Sequence, residues 1–588
     1  MNLKKITILS FLLTGLWACN DLDVPSINII QDQDVFRSES GVTSYMVRLY
    51  EDLPVEDFNF NEEGFNKPLN SLSPGNYTGE TLLCMADMIW NNLDGDKFQD
   101  WRYNSVRNVN YFIGNFPEYT DHFSQDLSDT WLGEAYFIRA YYYFAMVKRY
   151  GGVPIIRTVQ NYPEQGIEEL KVPRNTEKEV YDFIAEDLDE AIRLLPEHSL
   201  ASGRVNKYVA YALKSRAMLY AGSIAQYGKM QLNNILGIPA ADASYYYKLS
   251  YEASKMLKGT YSLYSKYADK FENYWRLFLD GDSPENIFVK YYKYPEKTHT
   301  FDCLHIPYQM RGSQGYSSRF NPTLDLVEMF DDIDGNPLTL EIGTDQNPVR
   351  YQNRMDLFMK VEPRLRASVI LPGDEFKGEE IDVQKGVYVS YPSGELLTSA
   401  DFNALYEGRS IIGKSGMGNN ETTVTGFHTR KYQNPDADKS LVLENRSEQS
   451  WIDIRYAEIL LNRAEAAFEL GEVEDALQAI NQVRERAGAK LYTADQLTAK
   501  VIQKERRMEL AFENQTFWDL RRWRVADMEI NNRQFTALCP CYIYDEDKYI
   551  FKREYVGPQY TFDVKLNYAK IPSGEISKND KLEQNPGY

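Results

Sequence analysis

Cysteine and histidine are scarce in this chain, with five of each in 588 residues. Four of the cysteines, Cys84, Cys303, Cys539 and Cys541, stand well inside the sequence. An oxidising compartment permits disulfides, but four such residues in a chain of this length do not make a disulfide scaffold. Cys539 and Cys541 flank Pro540 and are too close to bridge easily without strain. A pairing with Cys84 or Cys303 stays open. No histidine is spaced near that pair for a zinc site, so no metal is expected. Positive charge is also short: 65 Lys and Arg stand against 86 Asp and Glu, a formal net charge of −21. Nucleic-acid partners are thereby excluded, because their binders concentrate positive charge. A polybasic membrane patch is excluded on the same ground. No apolar run approaches the about 20 residues that span a bilayer. The glycines of KSGMGNNE (residues 414–421) lack a P-loop Lys-Ser/Thr after them and a βαβ setting. DIDGNP (332–337) lacks the calcium-loop series and reads as a turn. No cofactor is implied.

What the chain has in quantity is tyrosine, 44 residues, each joining a flat apolar face to a hydroxyl. Most are expected at the edges of a helical core. The N-terminus carries a second signal. Lys4 and Lys5 precede a short apolar stretch, Ile6 to Leu13, and small residues then lead to a cleavage point, as in a secretory leader. Leu16-Trp17-Ala18-Cys19 resembles a bacterial lipobox, in which cleavage before the cysteine frees a thiol for diacylglycerol. The expectation is a signal peptide over residues 1–18 and a mature chain, 19–588, held at a membrane by acyl chains on Cys19 and by no buried span.

Hydrophobic periodicity predicts a mostly α-helical protein. In IRYAEILLNRAEAAFELGE (454–472), Ala457, Leu460, Leu461, Ala464, Ala467 and Phe468 fall on one helical face, and Gly471 tolerates a left-handed stop. A second helix carries Ala476, Ile480, Val483 and Ala487 and ends at Gly488. Two such helices on a tight turn, with alanines where they cross, make a tetratricopeptide-like hairpin. Residues 207–221 with 245–259, and a helix through Phe137, Ala140, Phe144 and Val147 with residues 180–197, repeat the pattern irregularly. Stacked hairpins bury a continuous core and leave a face free. The middle differs: turn residues punctuate short β-like runs such as VYVSY (387–391). The expected organisation is a tetratricopeptide-like helical hairpin scaffold over about 30–280 and 450–530. An irregular, loop-rich insert with short β strands fills about 280–450, and a closing segment covers 531–588.

Several blocks resemble a known family. They are EAYFIRAYYYFAMVKRYGGVPII (134–156), IRYAEILLNRAEAAFELGEVEDALQAINQVRERAG (454–488), KERRMELAFENQTFWDLRRW (504–523) and the terminal IPSGEI and QNPGY. In order and spacing they resemble the SusD/RagB family of outer-membrane nutrient-uptake lipoproteins of the Bacteroidetes, over nearly the whole chain. Asp21 and Asp23, soon after Cys19, resemble the surface-export signal of such lipoproteins. The resemblance implies a lipid-anchored protein on the outer face of the outer membrane. There it would lie as a lid over a SusC-like TonB-dependent transporter and catch an oligosaccharide or another nutrient without hydrolysing it. A peptide-binding or other nutrient-binding member, and a glycan-active enzyme, remain the rival readings.

Candidate residues follow from what a sugar demands: an aromatic face for its C–H patch and planar polar groups for its hydroxyls, in a concave site. Two loop-like stretches supply both, and both lie where members of the resembled family contact glycans. Residues 70–92 contain Tyr77, Trp90, Asn91 and Asn92; residues 305–322 contain Tyr308, Arg311, Gln314 and Tyr316. Trp101, Tyr103, Trp131 and Trp523 resemble scaffold positions. Glu509 and Glu513, four apart on one helical face, could be taken for a catalytic carboxylate pair. The arginines around them make a scaffold ion network the better reading. No catalytic residue is expected.

Overall fold

A computed structural model describes residues 32–67, 72–85, 93–162, 164–313 and 315–588. Cys19, Trp90, Asn91, Asn92 and Gln314 lie outside the described residues. Among the described residues no helix is long and apolar enough to cross a membrane.

The helices start where side chains satisfy their free N–H groups. Ser38 accepts from the Gly41 amide ahead of α1 (Glu39–Glu51). Helix α2 spans Tyr103–Asn115. Ser124 accepts from the Leu127 amide ahead of α3 (Gln125–Tyr150), which is buried on almost every side and forms the centre of the core. Thr176 and Glu179 form a reciprocal capping box on α4 (Glu177–Leu194). Asn206 accepts from two amides of α5 (Lys207–Tyr227). Helix α6 spans Ala243–Lys255. After the insert come α7 (Tyr456–Glu469), α8 (Val473–Ala487), α9 (Ala499–Glu509) and α10 (Thr516–Arg522). Gly151, at φ 72°, turns the chain after α3, and a Cβ on Gly152 would collide with the carbonyl oxygens of Asn175 and Ile235. Only glycine permits that return.

Consecutive helices pack as neighbours: α3 on α4, α4 on α5, α5 on α6. The chain then leaves for some two hundred residues and comes back, so that α7 packs on α6 as the next member of the stack, and α8 on α7. Leu219 of α5, Tyr247 of α6 and Ala466 of α7 meet in one cluster, with Tyr247 lying directly against Gly222. Three tetratricopeptide-like hairpins, α3–α4, α5–α6 and α7–α8, therefore form a continuous stack from a discontinuous sequence. Trp131 and Trp523 are buried in the core, and the Tyr103 hydroxyl donates to the Pro154 carbonyl at 2.6 Å, as scaffold residues should.

The helix expected from residue 454 begins at Tyr456. Ile454 and Arg455 belong instead to a strand, Trp451–Arg455, whose β-branched residues pair antiparallel with Asn286–Lys290. Thr81–Leu83 (β1) pairs antiparallel with Phe320–Pro322 (β2) of the insert. The VYVSY run supplies Gly386–Tyr388 (β3), which pairs with Leu396–Leu397 (β4). The longest strands lie in the closing segment: Phe535–Ile543 (β5) and Lys548–Val556 (β6) form a hairpin, and β5 also pairs in parallel with β3. This gives a four-stranded sheet in the order β6-β5-β3-β4. DIDGNP is a turn, in which Asp332 Oδ1 accepts from the Asp334 and Asn336 amides at 2.9 and 2.8 Å.

Candidate ligand-binding face

The two stretches singled out for aromatic and polar content meet in space. β1 continues from the first and β2 closes the second; their pairing sets Leu83 opposite Phe320, and the Cys84 amide donates to the Arg319 carbonyl at 2.8 Å. One loop of the insert is strapped to both. Cys84 Sγ donates to the Asn420 carbonyl at 2.7 Å, and Ser317 Oγ donates to the Glu421 carbonyl at 2.8 Å.

Tyr308 opens a single 3-10 turn, Tyr308–Met310, that Gln309 pins to the insert. The Gln309 amide donates to Ser415 Oγ at 3.0 Å, its side-chain nitrogen donates to the Glu380 carbonyl at 2.9 Å, and its oxygen accepts from the Asp382 amide at 2.9 Å. Held this way, the Tyr308 ring stacks on Phe402 with centroids 3.8 Å apart and planes 5° from parallel. The Arg311 guanidinium lies 4.1 Å from the Tyr308 centroid, donates to the Tyr308 hydroxyl at 3.0 Å and forms an ion pair with Glu421. A few residues on, Arg319 lies 4.7 Å over the Tyr316 ring and contacts the Met85 thioether. The charge of Glu444 beside the Tyr316 hydroxyl, together with their hydrogen bond, raises the phenol pKa. Half-buried aromatic rings thus stand next to guanidinium and carboxylate groups, the residue types that a sugar ring and its hydroxyls require, with the Tyr308 ring itself lying between Phe402 and Arg311.

Tyr308 and Arg311 therefore meet directly, while Tyr316 lies with Arg319 and Glu444. Tyr77 is a correction: it is 1% exposed and packs against Phe98, Phe517 and Tyr560, so its ring has no surface open to a ligand. The cause is local. Pro74–Thr78 forms a short, wholly buried helix against α10, and the loop-like composition of that stretch concealed it. Phe402, Glu421, Arg319 and Glu444 were not singled out from sequence. Phe402 had a signal, since it sits between Asp401 and Asn403 in an Asx turn, where Asn403 donates its amide to Asp401 Oδ1 at 2.9 Å.

The carboxylate pair Glu509 and Glu513 is closed to catalysis. Arg455 reaches Glu285, Glu509 and Glu513 at 2.9, 2.7 and 2.6 Å. Arg364 reaches Glu505 and Glu509 at 2.6 and 3.0 Å, and Arg486 pairs with Glu285 and Glu509. Burial by itself raises the Glu509 pKa, but Arg486, Arg455, Arg364 and Lys431 outweigh it and hold the group at about 2. An acid that is buried and permanently ionised neither reaches a substrate nor donates a proton to it. Arg506 and Arg522 form a second buried group, both reaching Asp519 at 2.7 Å. Among the described residues no cluster of three or more His, Cys, Asp or Glu could hold a metal ion, and Cys84, Cys303, Cys539 and Cys541 are all free and buried.

Comparison with known proteins gives a consistent result. Residues 284–588 match the family described as the SusD family. Residues 22–219 match a family described as starch-binding and associating with the outer membrane. SusD-like protein P38 of Formosa agariphila is 23% identical, with 89% of this chain and 92% of that protein covered. A SusD-like protein of Bacteroides fragilis NCTC 9343 superposes with a TM-score of 0.71 at 25% identity, covering 95% of this chain and 99% of that one. A second protein of the same organism, described as a SusD-like carbohydrate-binding protein, superposes with a TM-score of 0.65 at 20% identity, covering 93% of this chain and all of that one.

Proposed function

Because the chain belongs to the SusD family, we propose that it is a non-catalytic glycan-binding lipoprotein of the outer membrane. It captures oligosaccharide at the cell surface and delivers it to a SusC-like TonB-dependent transporter. The observation that carries this reading is the stacked Tyr308–Phe402 pair beside Arg311 and Glu421. Trp90, Asn91 and Gln314, in the same two stretches, are proposed to add to that face. The bland alternative, that these aromatics only pack, fits the enclosed Tyr77; the Tyr308–Phe402 stack is half-buried, with Arg311 over the Tyr308 ring. The carbohydrate-binding description of the Bacteroides fragilis relative supports the ligand class.

Removing one stacked aromatic costs about 0.5–1.5 kcal/mol beyond lost area. Tyr308→Ala is therefore expected to weaken oligosaccharide binding by about tenfold or more in affinity electrophoresis against a glycan panel. Equal retention of wild type and variant on every retarding glycan would remove this face from the site. Release of new reducing ends by the wild-type protein would favour the enzymatic rival instead.

The anchor is tested separately. With lipid on Cys19 as the tether, Cys19→Ala is expected to move the protein from the membrane to the soluble fraction. Continued fractionation of that variant with outer membranes would contradict the lipid anchor.

A further inference from the structure

We propose that Phe402 is the aromatic residue that touches the sugar, and that Tyr308 is a positioning residue behind it. The proposal rests on the glycan-binding reading and assigns the contact within that same face.

Both sides of the Tyr308 ring are taken. Phe402 covers one, with parallel planes and centroids 3.8 Å apart, and the Arg311 guanidinium lies 4.1 Å from the same Tyr308 centroid. Two groups this close to one centroid cannot share a side, so Arg311 occupies the other. A sugar therefore has no room to stack on Tyr308. The available surface lies one layer further out, on the side of Phe402 turned away from Tyr308. Tyr308 is the only ring that meets Phe402 among the described residues. Neither of the two packs against any cluster of buried hydrophobic side chains there, whereas Tyr316 packs against the main core. Phenylalanine is ordinarily drawn into a core. Here its half-buried ring is backed by a tyrosine that also stays outside the core.

That backing is fixed from behind. Arg311 donates to the Tyr308 hydroxyl at 3.0 Å and pairs with Glu421. The chain around Phe402 is tied to the same frame. The Asn419 side-chain nitrogen donates to the Ala400 carbonyl at 3.5 Å, and its oxygen accepts from the Glu421 amide at 2.9 Å. Gly418 approaches the Ser399 carbonyl so closely that a Cβ there would collide with it. Arg311, Tyr308 and Phe402 thus form successive layers, and the outermost ring presents its face to the C–H side of a sugar. A platform held in this way loses little freedom on binding.

The test is affinity electrophoresis of the purified protein through gels containing amylopectin, laminarin, xyloglucan or pectin. On each polysaccharide that retards the wild type, Phe402→Ala and Phe402→Leu are expected to bind about tenfold more weakly, since leucine keeps the bulk but not the ring. Phe402→Trp should bind within about twofold of wild type, and titration should change its tryptophan fluorescence more than that of wild type. Tyr308→Phe keeps the stack, loses only the hydroxyl, and should also stay within about twofold. Thermal unfolding checks that each variant is folded. Loss of binding in Tyr308→Phe with full binding in Phe402→Ala would overturn the assignment and leave the face in place. Equal binding by Phe402→Leu and wild type would overturn it too, because bulk and not the ring would then matter. Retardation insensitive to both residues, or by none of the four polysaccharides, would overturn the assignment together with the face.

Discussion

Substituting Glu509 by alanine is expected to lower the unfolding free energy by about 3–5 kcal/mol, the cost of leaving buried charge unpaired. Three guanidiniums converge on this carboxylate, those of Arg364, Arg455 and Arg486, and all four side chains are buried. Taking so many ions out of water costs more than any one pair returns, and the balance is restored only when every charge has a partner. Removal of the central anion therefore leaves excess positive charge in a low dielectric. The same substitution should matter less in acid. Glu509 titrates at about 2 in the folded chain, below its ordinary value of 4.5. Its stabilising contribution is complete above pH 4.5 and declines as the pH falls toward 2. Urea unfolding of wild type and Glu509→Ala at pH 7 measures the effect. Coincident midpoints would mean that water, not arginine, compensates Glu509.

His428 is expected to give the strongest pH signature. Its ring is fully enclosed, with Nδ1 3.4 Å from Ser318 Oγ and Nε2 without a partner among the described residues. Burial alone pushes its pKa from 6.5 down to about 3. The unfolded chain therefore takes up a proton below pH 6.5 that the folded chain refuses, and stability falls with pH over that window. The slope is about 1.4 kcal/mol per pH unit, or about 2 kcal/mol between pH 6.5 and 5. His299 and His305, both lowered to about 4 by burial, act in the same direction. Glu80 and Glu362, raised to about 7 by burial, act in the opposite one: they lose stability as the pH rises from 4.5 through 7. The wild-type profile thus mixes opposed contributions, and the informative quantity is its difference from His428→Asn, which keeps a polar atom but does not titrate. That difference should shift in favour of the variant by about 2 kcal/mol from pH 7 to pH 5. A difference that stays constant would show that His428 takes up its proton over the same pH range in the folded chain as in the unfolded one.

Much of the scaffold was legible because it is written in local terms. Alanines and aliphatics at helical spacing on α5, α7 and α8 allow one orientation toward a core, and Gly488, at φ 73°, ends α8 as glycine stops a helix. The reading of Glu505, Glu509 and Glu513 as scaffold was equally available, since arginines recur at helical spacing around them. The strand at Ile454 and Arg455 was not, because its reason lies in Asn286–Lys290, far away in the chain. Tyr77 failed for a related reason. A tyrosine in a loop-like stretch has the same composition whether it faces solvent or Phe98, and only packing distinguishes the two.

The sequence by itself determined the helical hairpins, the acidic net charge and the blocks shared with the SusD family. These depend on residue type and short spacing. The tertiary structure alone decided that α7 continues the stack begun by α3 to α6, that Tyr308 meets Phe402 while Tyr77 is enclosed, and that Arg455 and Glu285 belong to one network. Each of these joins residues far apart in the chain. Their pairing is set by the burial of the whole core, and no local pattern encodes which distant partner arrives.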